Sequence, residues 1–388
     1  VRVLFVSDVY FPRVNGVSTS IRTFRDDLAQ AGVDTHLVAP AYPAGAGAEP
    51  GITRVSAAGV PGDPEDRRMG WRALRRALAA LDDGSFDLVH IHTPFVAHYA
   101  GVGFARRARI PALATYHTFF EEYLHHYLRL LPRVLGRQLA RSFTRSQCAA
   151  VQGLIAPSEP MRAVLAQYGV TTPIHVLPTG LAADRFRAGD GAAFRARAGI
   201  GAARPLVTYI GRVAHEKNIG FLVQMFVRVL ESVPEALLVI AGEGPARAAL
   251  RAQVAALGLD GRVHFAGYLE RDTELLDCYA AADVFVFASR TETQGLVLLE
   301  AMAQGTPVVS TAELGTRSIL VAGSGALVVP EEQPAFAAAV VRVLQDAQLC
   351  AELGTRGRGY ARNWSAAAMA QRLAAIYCEL RHAPALLA

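Results

Sequence analysis

Short apolar runs recur along this chain, each followed by a stretch with helical spacing, and the whole series occurs twice. In the first half the runs stand at 3–6, 35–39, 87–92, 112–117 and 153–157, with an amphipathic stretch over 17–30. They are rich in Val, Ile and Leu, as strands buried on both faces must be. Strands that alternate with helices predict a parallel sheet with helices on both sides. After Pro178-Thr179-Gly180 the series restarts at 206–210, 237–241, 263–265, 284–287, 307–310 and 326–329, with helices over 219–232, 246–257, 296–303 and 334–345. At 388 residues the chain is also too long for one ordinary core. We therefore expect an α/β protein of two Rossmann-like, doubly wound domains, 1–180 and 181–364, dividing in the Pro- and Gly-bearing segment 178–204. The last amphipathic segment, within 365–388, is expected to pack back on the first domain. Two such domains facing each other leave a central cleft at the carboxyl ends of their strands, where ligands bind.

Composition narrows the class. Hydrophobic residues are 52% and charged residues 19%, which suits a folded chain and excludes disorder. No apolar run approaches the ~18 residues of a spanning helix, and nothing near Val1 reads as a signal peptide. The four cysteines are scattered without a Cys-x-x-Cys pair, as buried thiols in a reducing cytoplasm would be. Residues 1–180 carry nineteen arginines against fourteen carboxylates, a net +5, whereas 181–388 carry twenty of each sign. A basic half can meet nucleic acid, an anionic membrane or an acidic substrate. Arginine outnumbers lysine 38 to 1, and the single Lys217 suggests a position that needs a compact ammonium.

Two segments of the second half carry chemistry. Gly211-Arg212-Val213-Ala214-His215-Glu216-Lys217-Asn218 joins a predicted strand to a helix, placing Arg212 and Lys217 beside a helix N-terminus that favours anions. Two fixed cations there can neutralise the charge on a departing diphosphate, a task Mg²⁺ performs elsewhere. The chain has no Asp-x-Asp, so metal-free chemistry is consistent. Alone, the two residues also fit an ordinary charged loop. In the second segment, 289–300, Glu292 and Glu300 stand eight apart. Glu300 lies in a helix that otherwise reads as buried. A buried carboxylate without a partner is costly, so ribose hydroxyls suit it. The amides of 293–296 are expected to face the diphosphate. The plain alternative is a helix cap plus a surface glutamate.

Together, residues 211–330 resemble the donor half of family 4 glycosyltransferases, with Gly-Arg-…-Glu-Lys-Asn, Glu-x7-Glu and Glu-Ala-Met-Ala-Gln-Gly-Thr-Pro-Val-Val in order. The resemblance implies a GT-B fold, with Arg212 and Lys217 on the diphosphate and Glu292 on hydroxyls of the transferred sugar. It also implies that Thr293, Gln294, Gly295 and Leu296 line the sugar–phosphate pocket and that Glu300 holds the ribose. Gly242-Glu243-Gly244-Pro245 matches the family's Gly-x-Gly-Pro turn, and Tyr268 and Leu269 fall where the nucleobase rests.

On the first-half side, Asn15 and Gly16 join the first strand to the first helix. Gly16 permits close approach of a phosphate or sugar, or is simply a turn glycine. The family places a glycine-bearing loop here, opposite the donor. His117, in Thr115-Tyr116-His117-Thr118, follows a strand. It suits either a structural role or a hydrogen bond to a sugar hydroxyl, and the resemblance implies the second. Tyr116 joins Asn15 on the acceptor side. His90-Ile91-His92 ends another strand, but no nearby Cys, Asp or Glu completes a ligand set, so no metal is expected.

The stretch 115–127 resembles that of diacylglycerol glucosyltransferases and lipid mannosyltransferases. Arg129, Arg133, Arg137, Arg141 and Arg145 follow at four-residue intervals, a slowly winding stripe on a helix. Such a stripe suits an anionic membrane surface or a solvated face. Arg67, Arg68, Arg72, Arg75 and Arg76 form a second basic cluster. No nucleic-acid motif accompanies either. A dinucleotide oxidoreductase is disfavoured because no Gly-x-Gly-x-x-Gly follows the first strand. A nucleotide-sugar sensor is the non-catalytic alternative. The expectation is a retaining, metal-independent hexosyltransferase without cofactor, peripheral on the cytoplasmic face of the membrane, moving glucose from UDP-glucose to a lipid such as diacylglycerol. The alternative is a GDP-mannose-dependent α-mannosyltransferase acting on a lipid or a soluble saccharide.

Overall fold

The computed structural model describes all residues except 44–48, 61–62, 118–132, 272 and 383–388, and the side chains of 63–66 and 133–137 are likewise outside the description. The chain divides into two compact units, Val1–Gly180 with Ala366–Ala388, and Leu181–Ser365.

In the first unit the strands are β1 (Arg2–Val6), β2 (Asp34–Pro40), β3 (Ile52–Val55), β4 (Ala57–Val60), β5 (Asp63–Met69), β6 (Leu88–Ile91), β7 (Ala112–Thr115), β8 (Gly153–Ala156) and β9 (Ile174–Val176). Seven of them form one sheet in the order β3-β2-β1-β6-β7-β8-β9. The pairings are parallel throughout. Every residue of β6 and β8 is buried, which accounts for their unbroken apolar sequences. The edge strands β3 and β9 are only partly buried and lack such runs, so periodicity does not predict them. The antiparallel pair β4–β5 also departs from strict strand–helix alternation. The C-terminal helix, Ala366–Leu380, closes this unit's core by burying Met369, Leu373 and Tyr377 with Phe5, Ile155 and Leu177.

The second unit contains β10 (Leu206–Ile210), β11 (Leu237–Ala241), β12 (Val263–Gly267), β13 (Val284–Phe287), β14 (Val308–Ser310) and β15 (Ala326–Val328). Their order is β12-β11-β10-β13-β14-β15, all parallel. Counted from β10, that is 3-2-1-4-5-6, the doubly wound order whose direction reverses between β10 and β13. Helices Ile219–Ser232 and Gln333–Gln345 pack together, as do Leu296–Gln304 and Ala347–Ala361.

Candidate active site

The carboxyl ends of β10, β11 and β12 are stitched by backbone hydrogen bonds, Gly211 N–H to Ala241 O at 3.0 Å and Gly242 N–H to Gly267 O at 2.7 Å. Gly242 has φ of +127°, and a Cβ there would stand 2.0 Å from the Gly211 carbonyl oxygen. Only glycine lets the two strand ends approach so closely.

At the topological reversal, Lys217 leaves a short 3₁₀ turn, His215–Lys217, and meets Glu292 at 2.8 Å. Both side chains are about one-fifth exposed, at 21% and 19%. The other Glu292 oxygen accepts from the amides of Gly295 at 3.1 Å and Gln294 at 3.5 Å. Burial pushes this carboxyl up, but Lys217 and the two amides outweigh it and hold the group below its ordinary value. These amides were expected to face a diphosphate; here they are engaged by Glu292 itself. Gly295 adopts φ of +100° and starts the helix Leu296–Gln304, with Thr293 half-buried and Gln294 buried just before it. The loop is braced from below by Gly315, whose amide donates to the Glu292 carbonyl at 2.9 Å. A Cβ on Gly315 would lie 1.9 Å from the Thr293 carbonyl oxygen. Arg212 stands 3.9 Å from Glu216, and its carbonyl accepts from the buried Tyr209 hydroxyl.

Glu300 is 3% exposed. The expectation that it lacks a protein partner is corrected: Arg271 donates to it at 2.7 Å and the Tyr279 hydroxyl at 3.1 Å. Sequence reasoning missed both partners, because nothing local ties the loop after β12 to a helix 29 residues later. Leu269 is partly buried against this unit's core, whereas Tyr268 is 58% exposed.

In the first unit, His90 and His92 are each 1% exposed at the end of β6. His90 is hydrogen-bonded to the Tyr377 hydroxyl at 2.6 Å and to Thr115 at 2.7 Å. Its ring lies 4.0 Å from that of His92, which stacks on His117 at 5.9 Å. Burial lowers the pKa of His117 to about 4 and those of His90 and His92 well below the ordinary value, so all three are neutral at pH 7. Among the described residues, no group of three His, Cys, Asp or Glu could hold a metal ion.

Nearby, Asp8 accepts from Thr93 at 2.8 Å and from the Ala97 amide at 3.1 Å, at the start of helix Val96–Ala108. Burial nevertheless raises its pKa to about 6. The Asn15 side chain, assigned to an acceptor from sequence, caps helix Gly16–Leu28 by accepting from the Ser18 amide at 2.8 Å. Around Gly16 a Cβ would meet nothing within 4 Å, so internal packing does not demand glycine there. Tyr116 is half-buried, with its hydroxyl 3.3 Å from Thr144. Arg141 is exposed and lies over the Tyr168 ring at 5.2 Å. Arg129 and the side chains of Arg133 and Arg137 lie outside the described residues.

Comparisons with known proteins agree with this layout. The family model described as Glycosyltransferase Family 4 matches residues 14–185, and that described as Glycosyl transferases group 1 matches 192–360. The chain is 32% identical over 321 residues to an alpha-monoglucosyldiacylglycerol synthase of Streptococcus pneumoniae, covering 80% of this chain and 70% of the relative. It is 28% identical over 376 residues to a GDP-mannose-dependent alpha-mannosyltransferase of Mycobacterium tuberculosis, covering 94% and 93%. Its fold matches the solved sucrose-phosphate synthase of Thermosynechococcus elongatus with a TM-score of 0.78 at 22% identity, over 98% of both chains. With two doubly wound parallel sheets of the GT-B kind and both halves matched, the chain belongs to the family 4 glycosyltransferases.

Proposed function

We propose that this chain transfers glucose from UDP-glucose to a lipid acceptor such as diacylglycerol, with retention at the anomeric carbon and without a metal ion. The observation that carries the donor reading is the Lys217–Glu292 pair set on the amides of Gln294 and Gly295. A cation and backbone amides at one helix start are what a diphosphate needs, and Glu292 holds both. In the proposed complex the diphosphate takes Lys217, Arg212 and those amides, leaving Glu292 for hydroxyls of the sugar. Thr293 and Leu296 complete the wall of that pocket. Glu300, oriented by Arg271 and Tyr279, accepts from the ribose, while the exposed Tyr268 and Leu269 meet the base. Gly242 keeps the floor free of side chains. His117, neutral, donates a hydrogen bond to the sugar, and the open space at Gly16 admits the donor. Asn15 and Tyr116 stand on the acceptor side. The bond from the anomeric carbon to phosphate breaks as the acceptor oxygen bonds on the same face, and the leaving phosphate oxygen takes the acceptor's proton.

The lipid assignment rests on the pneumococcal relative and on charge. Trp71 is 44% exposed at the start of helix Trp71–Ala80, with Arg75 over its ring at 5.9 Å. Arg72, Arg75 and Arg76 are exposed, and among the described residues none has a carboxylate partner. Such a face suits an anionic bilayer, at about 1 kcal/mol per arginine. No helix among the described residues is long and apolar enough to cross a membrane. The proposal is peripheral attachment on the inner face, through these arginines. The Arg129, Arg133, Arg137 and Arg141 stripe belongs to the same proposal. The mycobacterial relative, matched along nearly the whole chain, favours a second reading: mannose transfer from GDP-mannose to a lipid or a soluble saccharide.

The test is transfer by purified protein, with chelator present, from labelled UDP-glucose, UDP-galactose and GDP-mannose. Acceptors are anionic vesicles containing diacylglycerol and a panel of soluble saccharides. The expected result is labelled lipid from UDP-glucose, lowered about a hundredfold or more by Lys217→Ala. Product from GDP-mannose alone selects the second reading. Strict metal dependence, or full turnover by Lys217→Ala, overturns the donor-site assignment.

A further inference from the structure

A cavity of about 860 Å³ opens in the second unit, at the amino ends of the central strands β10 and β13, away from the site described above. Its lining includes Ala281, Ala282 and Asp283, which lead into β13, and Ile200 and Ala202, which precede β10. The residues of the candidate donor site follow the carboxyl ends of those same strands. A strand the length of β13 spans ~13 Å, so one small ligand does not reach both places. The volume is that of a small-molecule site.

Three arginines line this cavity, and they differ in what their donors do. Arg195 is committed to the fold: it donates to the carbonyls of Ala281 and Arg204 and to the Asp283 carboxylate. Arg358 is exposed, and its guanidinium makes one hydrogen bond among the described residues, to the Gln304 carbonyl at 3.0 Å. Arg362 is exposed, and its guanidinium has no hydrogen-bond or ion-pair partner among the described residues. The two stand four positions apart, where helix Ala347–Ala361 runs into the turn Arg362–Trp364, so one helical turn separates them. The same lining carries small side chains, Ala192, Ala196 and Ala303 among them. Two guanidinium forks without a carboxylate, over an apolar wall, complement an anion on an apolar body. One fork satisfies a carboxylate's two oxygens; two forks call for a tetrahedral anion with oxygens on several sides.

We propose that this cavity is a second ligand site, separate from the sugar donor, that binds a phosphate ester on a small apolar body through Arg358 and Arg362. The phosphate ester comes either from a free metabolite or from a lipid headgroup, and one experiment distinguishes them. Isothermal titration calorimetry of the full chain is run with glycerol 3-phosphate and, separately, with dihexanoyl phosphatidic acid below its micelle concentration. The expected result is one saturable site for one of these probes. Affinity should fall about tenfold or more in the Arg358→Gln/Arg362→Gln variant. The Ala192→Glu variant, which brings a carboxylate to the same wall, should lose binding likewise and guards against misfolding of the double variant. Binding of glycerol 3-phosphate marks a free metabolite; binding of the short-chain lipid alone marks a headgroup. No heat from either probe, or binding that survives both variants, overturns the proposal. So does loss in Lys217→Ala with the arginine variant intact, because the ligand then sits at the donor site. Sugar transfer is not the readout, so failure here leaves the transferase reading untouched.

Discussion

Lys217 and Glu292 form a pair whose members are each mostly withdrawn from water, and neither is cheap to leave alone. Glu292 is held below its ordinary value of 4.5, so its contribution to stability is present above that value and is lost as pH falls through the depressed folded-state pKa. Removing the cation leaves burial as the main influence. In Lys217→Met, Glu292 should therefore titrate above 4.5, and a carboxyl-carbon NMR titration showing it still depressed would mean the amides alone suffice. Gly242 is constrained by sterics rather than charge. With φ of +127° and a Cβ that would stand 2.0 Å from the Gly211 oxygen, Gly242→Ala has no conformation without strain. A loss of about 3 kcal/mol or more in urea unfolding is expected.

The C-terminal helix, Ala366–Leu380, is distant in sequence from everything it packs on, yet it completes the first unit's core. Its Tyr377 is fully buried and spends its hydroxyl on His90. The helix therefore anchors the end of β6, from which the histidine stack rises toward His117. Tyr377→Phe keeps the packing and removes one partner, leaving a buried His90 nitrogen without its bond. A destabilisation of about 1–3 kcal/mol is expected, read as a lower denaturant midpoint at unchanged slope. No change would show that the bond is replaced or carries no net energy. The helix Leu296–Gln304 works differently: Gly295 and Gly315 shape its start, where the Glu292 carboxylate accepts from two amides.

Acid should act unevenly on the two units. His90, His92, His98 and His117 all lie in the first, and burial depresses each, His98 and His117 to about 4. Between the ordinary value of 6.5 and about 4 the unfolded chain binds more protons than the fold, so stability falls as pH falls through that window. Asp8, raised to about 6, has the opposite sign between 3.8 and 6, and Asp27 is raised too, but these are two carboxyls against five histidines once the depressed His36 is included. Calorimetric scans from pH 7 to 5 should therefore move the first unit's transition to lower temperature more than the second's. Equal shifts would show that the histidines are not held neutral.

The doubly wound class was legible because strands buried on both faces must be apolar at every position, a local property of each run. The candidate cations and carboxylates, Arg212, Lys217, Glu292 and Glu300, were singled out by the resemblance of their short segments to a family pattern, since each segment alone also fits a plain structural role. Edge strands such as Ile174–Val176 were not, because half-burial leaves no continuous run. Pairings were not legible either. Arg271 meets Glu300, Gly315 braces Thr293, and Tyr377 reaches His90 across 287 positions of chain. Each of these contacts depends on strand order and helix docking, which arise when the chain buries its apolar surface as a whole. Local sequence therefore names candidate groups, while the packing of remote segments settles which of them meet, which serve the fold, and which stay neutral.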